Sequence, residues 1–319
     1  MTSIEGAPAA RGATPVRPAM PEPNIRAGVL AALGAYGMWG GFPLFFKLLE
    51  GVDSASIVAH RTVFALIFVG IVLYFRRRFS EVFAALRDRR TVLVMAVSTV
   101  LLAINWLVFV WAVETAQVLQ ISFGYFINPL VSIAIGMVFL GERQNRLQTA
   151  AIVIAIVAVI VQSFGLGTIP YVALTLACSF GLYGYCRKTV SVGSAPGLFV
   201  ETLLMTPVAL GYIAWVLVSW GPVSYADPLD VTALVVSGPL TAMALIFFAY
   251  AARQLRLTTI GMFQYLAPSL HFLSAVFILG EPLNPTSLLS FVLIWCSLGV
   301  FTWDSWQQRR KRAAARPVG

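Results

Sequence analysis

The sequence predicts an all-α polytopic membrane protein: ten transmembrane helices arranged as two inverted five-helix repeats. Three observations predict it, namely an apolar composition, a pattern repeated at an offset of 139 residues, and basic residues gathered in alternate loops. The 319 residues are 59% hydrophobic and only 11% charged, with a mean hydropathy of +0.85. Soluble domains carry roughly 25% charged residues, so the composition is that of a chain embedded in lipid. Cys178, Cys186 and Cys296 lie inside apolar runs without C-x-x-C spacing, which reads as packing and leaves neither a disulfide framework nor a metal-ligand set. The net charge of +9 comes from short clusters between apolar runs and not from an amphipathic face, so membrane topology explains it better than nucleic acid does. No cofactor and no nucleic-acid partner are expected.

The repeat joins residues 105–146 to residues 247–282. At the constant offset Phe109 falls on Phe248, Ala112 on Ala251, Ile121 on Ile260, Phe126 on Tyr265, Pro129 on Pro268, and Gly141-Glu142 on Gly280-Glu281. Both copies set an aromatic residue and then a proline in an apolar run and end in Gly-Glu. Residues 1–24, rich in Pro, Ala and Gly, read as a disordered cytoplasmic tail. A spanning helix needs about 20 mostly apolar residues. The expected spans are 27–49, 55–75, 92–113, 118–140, 147–165, 169–186, 197–219, 231–252, 257–279 and 285–304. The first repeat then covers 25–165 and the second 166–306, followed by a basic cytoplasmic tail at 307–319.

Loop charge sets the orientation, because cytoplasmic loops carry the excess of Lys and Arg. With the amino terminus inside, the cytoplasmic side holds Arg11, Arg17 and Arg26, the arginines from Arg76 to Arg90, Arg143 and Arg146, Arg187 and Lys188, Arg253 and Arg256, and the cluster from Arg309 to Arg316. The outer side holds Glu50, Asp53, Glu114, Asp227, Asp230 and Glu281. Both termini are therefore expected in the cytoplasm. Five helices per repeat make the second copy enter the membrane from the opposite face. Inverted repeats are the usual plan of secondary transporters, with the site near the midplane between the halves and access alternating from side to side; channels also use them.

Ionisable groups deep in a span cost roughly 2.5–3.5 kcal/mol on insertion scales, so each marks a candidate. His60 and Arg61 fall in the second span, Glu201 in the seventh and His271 in the ninth. At an offset of 140, Arg61 and Glu201 are equivalent, and inversion sets them on opposite sides of the midplane, too far apart to touch directly. The bland alternative has Arg61 reaching outward to Asp53 or Glu50 and Glu201 reaching the cytoplasmic interface. Gln264, Pro268 and His271 share one helix face, and Ser122, Tyr125, Pro129 and Ser132 make the corresponding stripe with Asn128 beside it. Each proline frees a carbonyl near Tyr125 or Gln264, which suits a cavity wall; ordinary helix packing by Ser, Asn and Gln is the competing account. Tyr36 and Trp39 in the first span, Asn105 in the third and Tyr183 in the sixth complete the aromatic and polar set. Gly34, Gly37 and Gly41 allow close backbone approach. No P-loop, H-E-x-x-H or G-x-S-x-G pattern occurs. Energy would come from a gradient, either the substrate's own or that of protons carried by His60, Glu201 or His271.

As a set, GAYGMWGGFPLFFKLL, AHRTVF, NWLVFVWAV, SFGYFINPLVSI with FLGER, SFGLYGYCRK and QYLAPSLHFLSAVFILGEPL resemble the RarD branch of the EamA family, within the drug/metabolite transporter superfamily, over about residues 25–306. The resemblance implies ten helices in two inverted repeats, a bacterial inner membrane and movement of small organic molecules, often outward. On this reading Tyr36, Trp39, Asn105, Tyr125, Asn128, Tyr183, Gln264 and His271 line a substrate cavity formed by helices one, three, four, six, eight and nine. His60, Arg61 and Glu201 bind a substrate charge or gate. The partners are the lipid bilayer, a small-molecule substrate and, if the transport is coupled, protons. A passive pore and a membrane enzyme are the competing classes.

Overall fold

A computed structural model describes residues 24–140, 145–220, 227–255 and 263–314, and every regular element in them is helical. The helices are α1 (Ile25–Lys47), α2 (Ser54–Phe75), α3 (Phe79–Arg87), α4 (Arg89–Glu114), α5 (Val118–Leu140), α6 (Arg146–Leu166), α7 (Tyr171–Thr189), α8 (Ser194–Trp220), α9 (Pro228–Gln254), α10 (Leu266–Leu273) and α11 (Pro285–Ala314). A π-helical turn, Ser274–Ile278, prolongs α10. Among the described residues, seven helices are long and apolar enough to cross a membrane: α1, α2, α4, α6, α8, α9 and α11. Two further apolar stretches, Val118–Val131 and Leu266–Ile278, are shorter. Of the other two helices, α3 has nine residues, and α7 has 19 and carries Ser179, Tyr183, Tyr185 and Arg187.

Helix starts follow local chemistry. Side chains of Asn24, Asp53, Asp88, Asn145 and Asp227 accept hydrogen bonds from the exposed N–H groups of α1, α2, α4, α6 and α9, and Asn145 forms a reciprocal capping box with Gln148. These caps explain why α4 begins at Arg89 and α9 at Pro228, a few residues before the hydropathy limits.

Three expectations need correction. The arginine-rich segment after α2 is not wholly a loop, because α3 buries Val82 and Ala85 at i and i+3 and sets Phe79 edge-on against Phe199 of α8, ring centroids 5.5 Å apart. The ninth span is not one continuous helix within the described residues. The chain turns at Gln264–Tyr265, and Pro268 then sits in the first turn of α10, where a missing N–H breaks no helical bond. Gly37 and Gly41 approach nothing within 4 Å, whereas a Cβ on Gly40 would collide with Leu270 of α10.

Packing joins α6 to α11, α5 to α7, α2 to α8 and α9, α1 to α9 and α10, α4 to α7 and α8, and α5 to α10. Two glycines permit the closest approaches. A Cβ on Gly124 would meet the Ala173 carbonyl of α7 at 2.6 Å, and one on Gly238 would meet the α2 backbone at Phe64 and Ala65. The outward faces stay apolar, with Leu30, Ile67, Ile71, Ile156, Ile160, Val208 and Val218 exposed, as a lipid-facing surface requires. Polar groups turn inward and bond across helices. Ser122 Oγ donates to the Pro268 carbonyl at 2.9 Å, and Ser297 Oγ to that of Ala151 at 2.6 Å.

A candidate ligand cavity closed at one end

A cavity of about 620 Å³ opens among α1, α2, α4, α5, α7, α8, α9 and the Gln264–His271 segment. That volume lies within the roughly 300–1,000 Å³ of small-molecule sites. It reaches the helix ends on one side of the molecule, where Arg76, Arg78, Arg187, Ser194 and Tyr250 form its rim. Arg76 and Tyr250 are exposed there. Arg78 donates to both oxygens of Glu81, at 2.5 and 2.7 Å, and this carboxylate raises the guanidinium above its ordinary pKa.

Tyr36, Trp39, Asn105, Tyr125, Asn128, Tyr183, Gln264 and His271 all line this cavity, and Arg61 joins them. Helices α2 and α8 therefore form part of the wall, and the expected set of six helices left out both. The wall is organised by a chain of hydrogen bonds across three helices. Tyr125 OH donates to Asn105 Oδ1 at 3.2 Å, and Asn105 Nδ2 donates to Ser179 Oγ at 3.0 Å and to the Leu176 carbonyl at 3.2 Å. His271 Nε2 lies 3.0 Å from the Trp39 carbonyl. A carbonyl only accepts, so Nε2 carries the proton, and among the described residues Nδ1 is left without a partner. Asn128 Oδ1 is unpartnered too, and both residues are 2% exposed. Rings fill the rest of the wall: His271 lies 5.8 Å from both Phe109 and Tyr125, Tyr36 is edge-on to Trp39 at 5.2 Å, and Phe180 is 6.1 Å from Tyr125.

The intramembrane charges go to different places. Arg61, 3% exposed, does not reach outward to Asp53 or Glu50. Its Nε donates to Thr241 Oγ1 at 2.7 Å, and its guanidinium lies 4.2 Å from the Trp106 ring centroid and 5.3–5.4 Å from Phe46 and Phe42. Glu201, 1% exposed, does not reach the interface. It accepts from Ser98 Oγ and from Tyr183 OH at 3.4 Å, with Arg187 Nη1 at 3.8 Å. It does not line the cavity itself but stands behind Tyr183. His60 is not among the lining residues; its Nδ1 lies 2.8 Å from the Ser56 carbonyl and its ring stacks near Phe64. The Ser132 side chain and Glu142 lie outside the described residues. Sequence reasoning missed Arg187 as a cavity residue, because its basic neighbours read as loop charge and nothing in its spacing points to Glu201. Phe42, Phe109 and Phe180 were missed for the same kind of reason, being apolar residues within apolar runs.

The opposite side is packed shut among the described residues. Glu281 accepts from the N–H groups of Val118 at 2.6 Å and Leu119 at 2.8 Å, so one carboxylate spans the start of α5. Burial pushes the Glu281 carboxyl above the usual range, while those two donors and the Lys47 ammonium pull the other way. Ser54 Oγ bonds to Glu114, and Tyr212 OH donates to Asp53 at 2.8 Å. Beneath them Phe46, Leu49, Val52, Ile57 and Val110 leave a void of about 10 Å³, no larger than one water.

The EamA-like transporter family profile matches residues 26–164. Protein RarD of Escherichia coli is 39% identical over 289 residues, spanning 90% of this chain and 98% of that one. The chain belongs to the EamA-like transporter family. Among other family relatives, a Bacillus subtilis protein described as the uncharacterized transporter YojE is 38% identical over 92% of this chain and 99% of its own length. The chloramphenicol-sensitive protein RarD of Pseudomonas aeruginosa is 29% identical over 90% and 97%. A crystal structure only 16% identical superposes with a TM-score of 0.59 over 89% of this chain and 99% of that one, a likeness of fold alone. As an EamA-family protein with several apolar spans and bacterial relatives, the chain is a multi-pass membrane transporter.

Proposed function

We propose that the chain is a secondary transporter that exports a small organic molecule from the cytoplasm, by alternating access between two inverted five-helix repeats in a bacterial inner membrane. The observation that carries this reading is the cavity itself, aromatic and polar at its centre and open at one end only. The rim arginines Arg76, Arg78 and Arg187 make that end cytoplasmic under the positive-inside rule.

Helix pairing supports the repeats. Matching α1, α2, α4, α5 and α6 to α7, α8, α9, α10 and α11 turns the α1–α9 contact into α7–α4, the α5–α7 contact into α10–α1 and the α2–α9 contact into α8–α4, and each of these is present. The contacts α2–α8, α5–α10 and α6–α11 map onto themselves. The family match over 26–164 also falls within the expected first repeat at 25–165. The spans are then the five helices of each set, with α3 lying at the cytoplasmic surface.

The test is flux of small organic compounds into proteoliposomes containing the full chain. Saturable uptake with counterflow is expected, and flux that rises linearly without saturating would mean a pore instead. If replacing both Gln264 and His271 leaves transport unchanged, the binding role given to the cavity wall is wrong. Flux with and without an imposed pH gradient separates exchange with protons from drive by the substrate's own gradient.

A further inference from the structure

The cavity contains an unbalanced charge. Arg61 is buried at its inner wall, and among the described residues its one hydrogen bond is Nε to Thr241 Oγ1, a hydroxyl that itself donates to the Ser237 carbonyl. A guanidinium has five N–H donors. The faces of Trp106, Phe42 and Phe46 offset part of the cost of burying the cation, but they accept none of the remaining four. No aspartate or glutamate lines the cavity among the described residues, while Arg76, Arg78 and Arg187 stand at its mouth. Glu201, the nearest intramembrane acid to the wall, is already held by Ser98, Tyr183 and Arg187. At the mouth Arg78 is paired with Glu81 and Arg187 stands beside Glu201, so the unbalanced positive charge is that of Arg61 at the centre, and a cationic ligand would find no carboxylate on the wall.

Resting on the transporter reading above, we infer that the substrate class is a small monocarboxylate on a planar, apolar body, with its carboxylate on the free edge of the Arg61 guanidinium. A planar fork of N–H donors fits a carboxylate through two parallel bonds and supplies the ion pair that the protein lacks. The ring wall of Trp39, Trp106, Phe109 and Tyr125 takes the body. The unpartnered Asn128 Oδ1 and His271 Nδ1 accept a hydroxyl or N–H on it. One buried arginine suits a single negative charge. An amino acid is disfavoured, because its ammonium would have no carboxylate to meet.

The test uses the full-length protein with phenylacetate, its neutral isostere phenylacetamide and the cation phenethylamine, at a pH well above the carboxylate range. Calorimetry is expected to give about tenfold to a hundredfold tighter binding of the acid than of the amide, the range of a charge-assisted hydrogen bond. Phenethylamine should bind most weakly. Arg61→Gln, checked for unchanged elution and melting, should bring acid and amide within about twofold. If that variant does not fold, Arg61→Lys decides, since its point charge loses the fork and the acid preference should drop several-fold. The assignment is overturned if amide or amine binds the wild type as tightly as the acid, if none of the three binds, or if the acid preference survives in Arg61→Gln or is unchanged in Arg61→Lys. Vesicle flux separates this failure from that of the underlying reading. Saturable flux of the amide or amine with none of the acid rejects the anion and keeps the transporter, whereas linear flux of all three rejects the transporter.

Discussion

Arg61 and Glu201 fall on each other at a sequence offset of 140 and are both nearly inaccessible, yet their surroundings differ in kind. Glu201 has a hydroxyl on each oxygen and a guanidinium at 3.8 Å. Arg61 has one hydroxyl and three ring faces. A charge that the protein satisfies itself belongs to the scaffold; one left with spare donors facing a cavity is kept for something that comes and goes. The same contrast separates the two ends of the molecule, one closed by Glu281 on the start of α5 and the other rimmed by arginines.

The comparison can be broken experimentally, starting with the largest effect. Glu201→Ala should destabilise the protein by about 2–3 kcal/mol, because it takes the acceptor from the Ser98 and Tyr183 hydroxyls while Arg187 keeps the Val192 and Gly193 carbonyls. Thermal unfolding in detergent measures this, and a change near zero would dissolve the contrast. Arg61→Leu should do the opposite, leaving stability unchanged or raised by about 1 kcal/mol while abolishing transport, since an unpaired buried charge is exchanged for apolar volume. At the closed end, Glu281→Gln should weaken the clamp on α5 by about 1–2 kcal/mol. Faster hydrogen exchange at the Val118 and Leu119 amides would report it, and unaltered exchange there would remove Glu281 from the closure.

The smallest effect concerns Asp53, which caps α2 and accepts from Tyr212. Burial raises its carboxyl, but the hydrogen bonds from Ser56, Tyr212 and Ala55 outweigh this and hold it below the usual aspartate range. Its contribution is therefore present above the ordinary aspartate pKa and fades as pH falls through the lowered value. Asp53→Ala should cost about 1 kcal/mol near neutrality, and the difference from wild type should shrink on acidification. A difference independent of pH would assign the effect to packing alone.

Much of the helical layout could be read from the chain because its causes are local. Asp53, Asp88 and Asn145 cap their helices through side chains only three residues from the donors. The positions of Tyr125, Asn128, Gln264 and His271 along one cavity also follow a legible cue, a polar stripe in an apolar helix. What could not be read depends on contacts between distant segments. Arg187 meets Glu201 because α7 and α8 both pack on α4, and its sequence neighbourhood looks like any basic loop. Arg61 carried a signal of depth but none of partner, so outward reach was a fair expectation until α1, α4 and α9 closed around it. The turn at Gln264–Tyr265 was hidden by a hydropathy pattern that continues across it unbroken.

The bonds linking Tyr125, Asn105 and Ser179 have a mechanical consequence. They join α4 and α5 to α7 at the depth of the cavity, and Ser122 ties α5 onward to α10. Helices from both halves of the sequence thus share one waist. If the open and closed ends exchange while this waist holds, the helices above and below it must swing as opposed arms about a common fulcrum, and the ligand would rest at the point of least displacement.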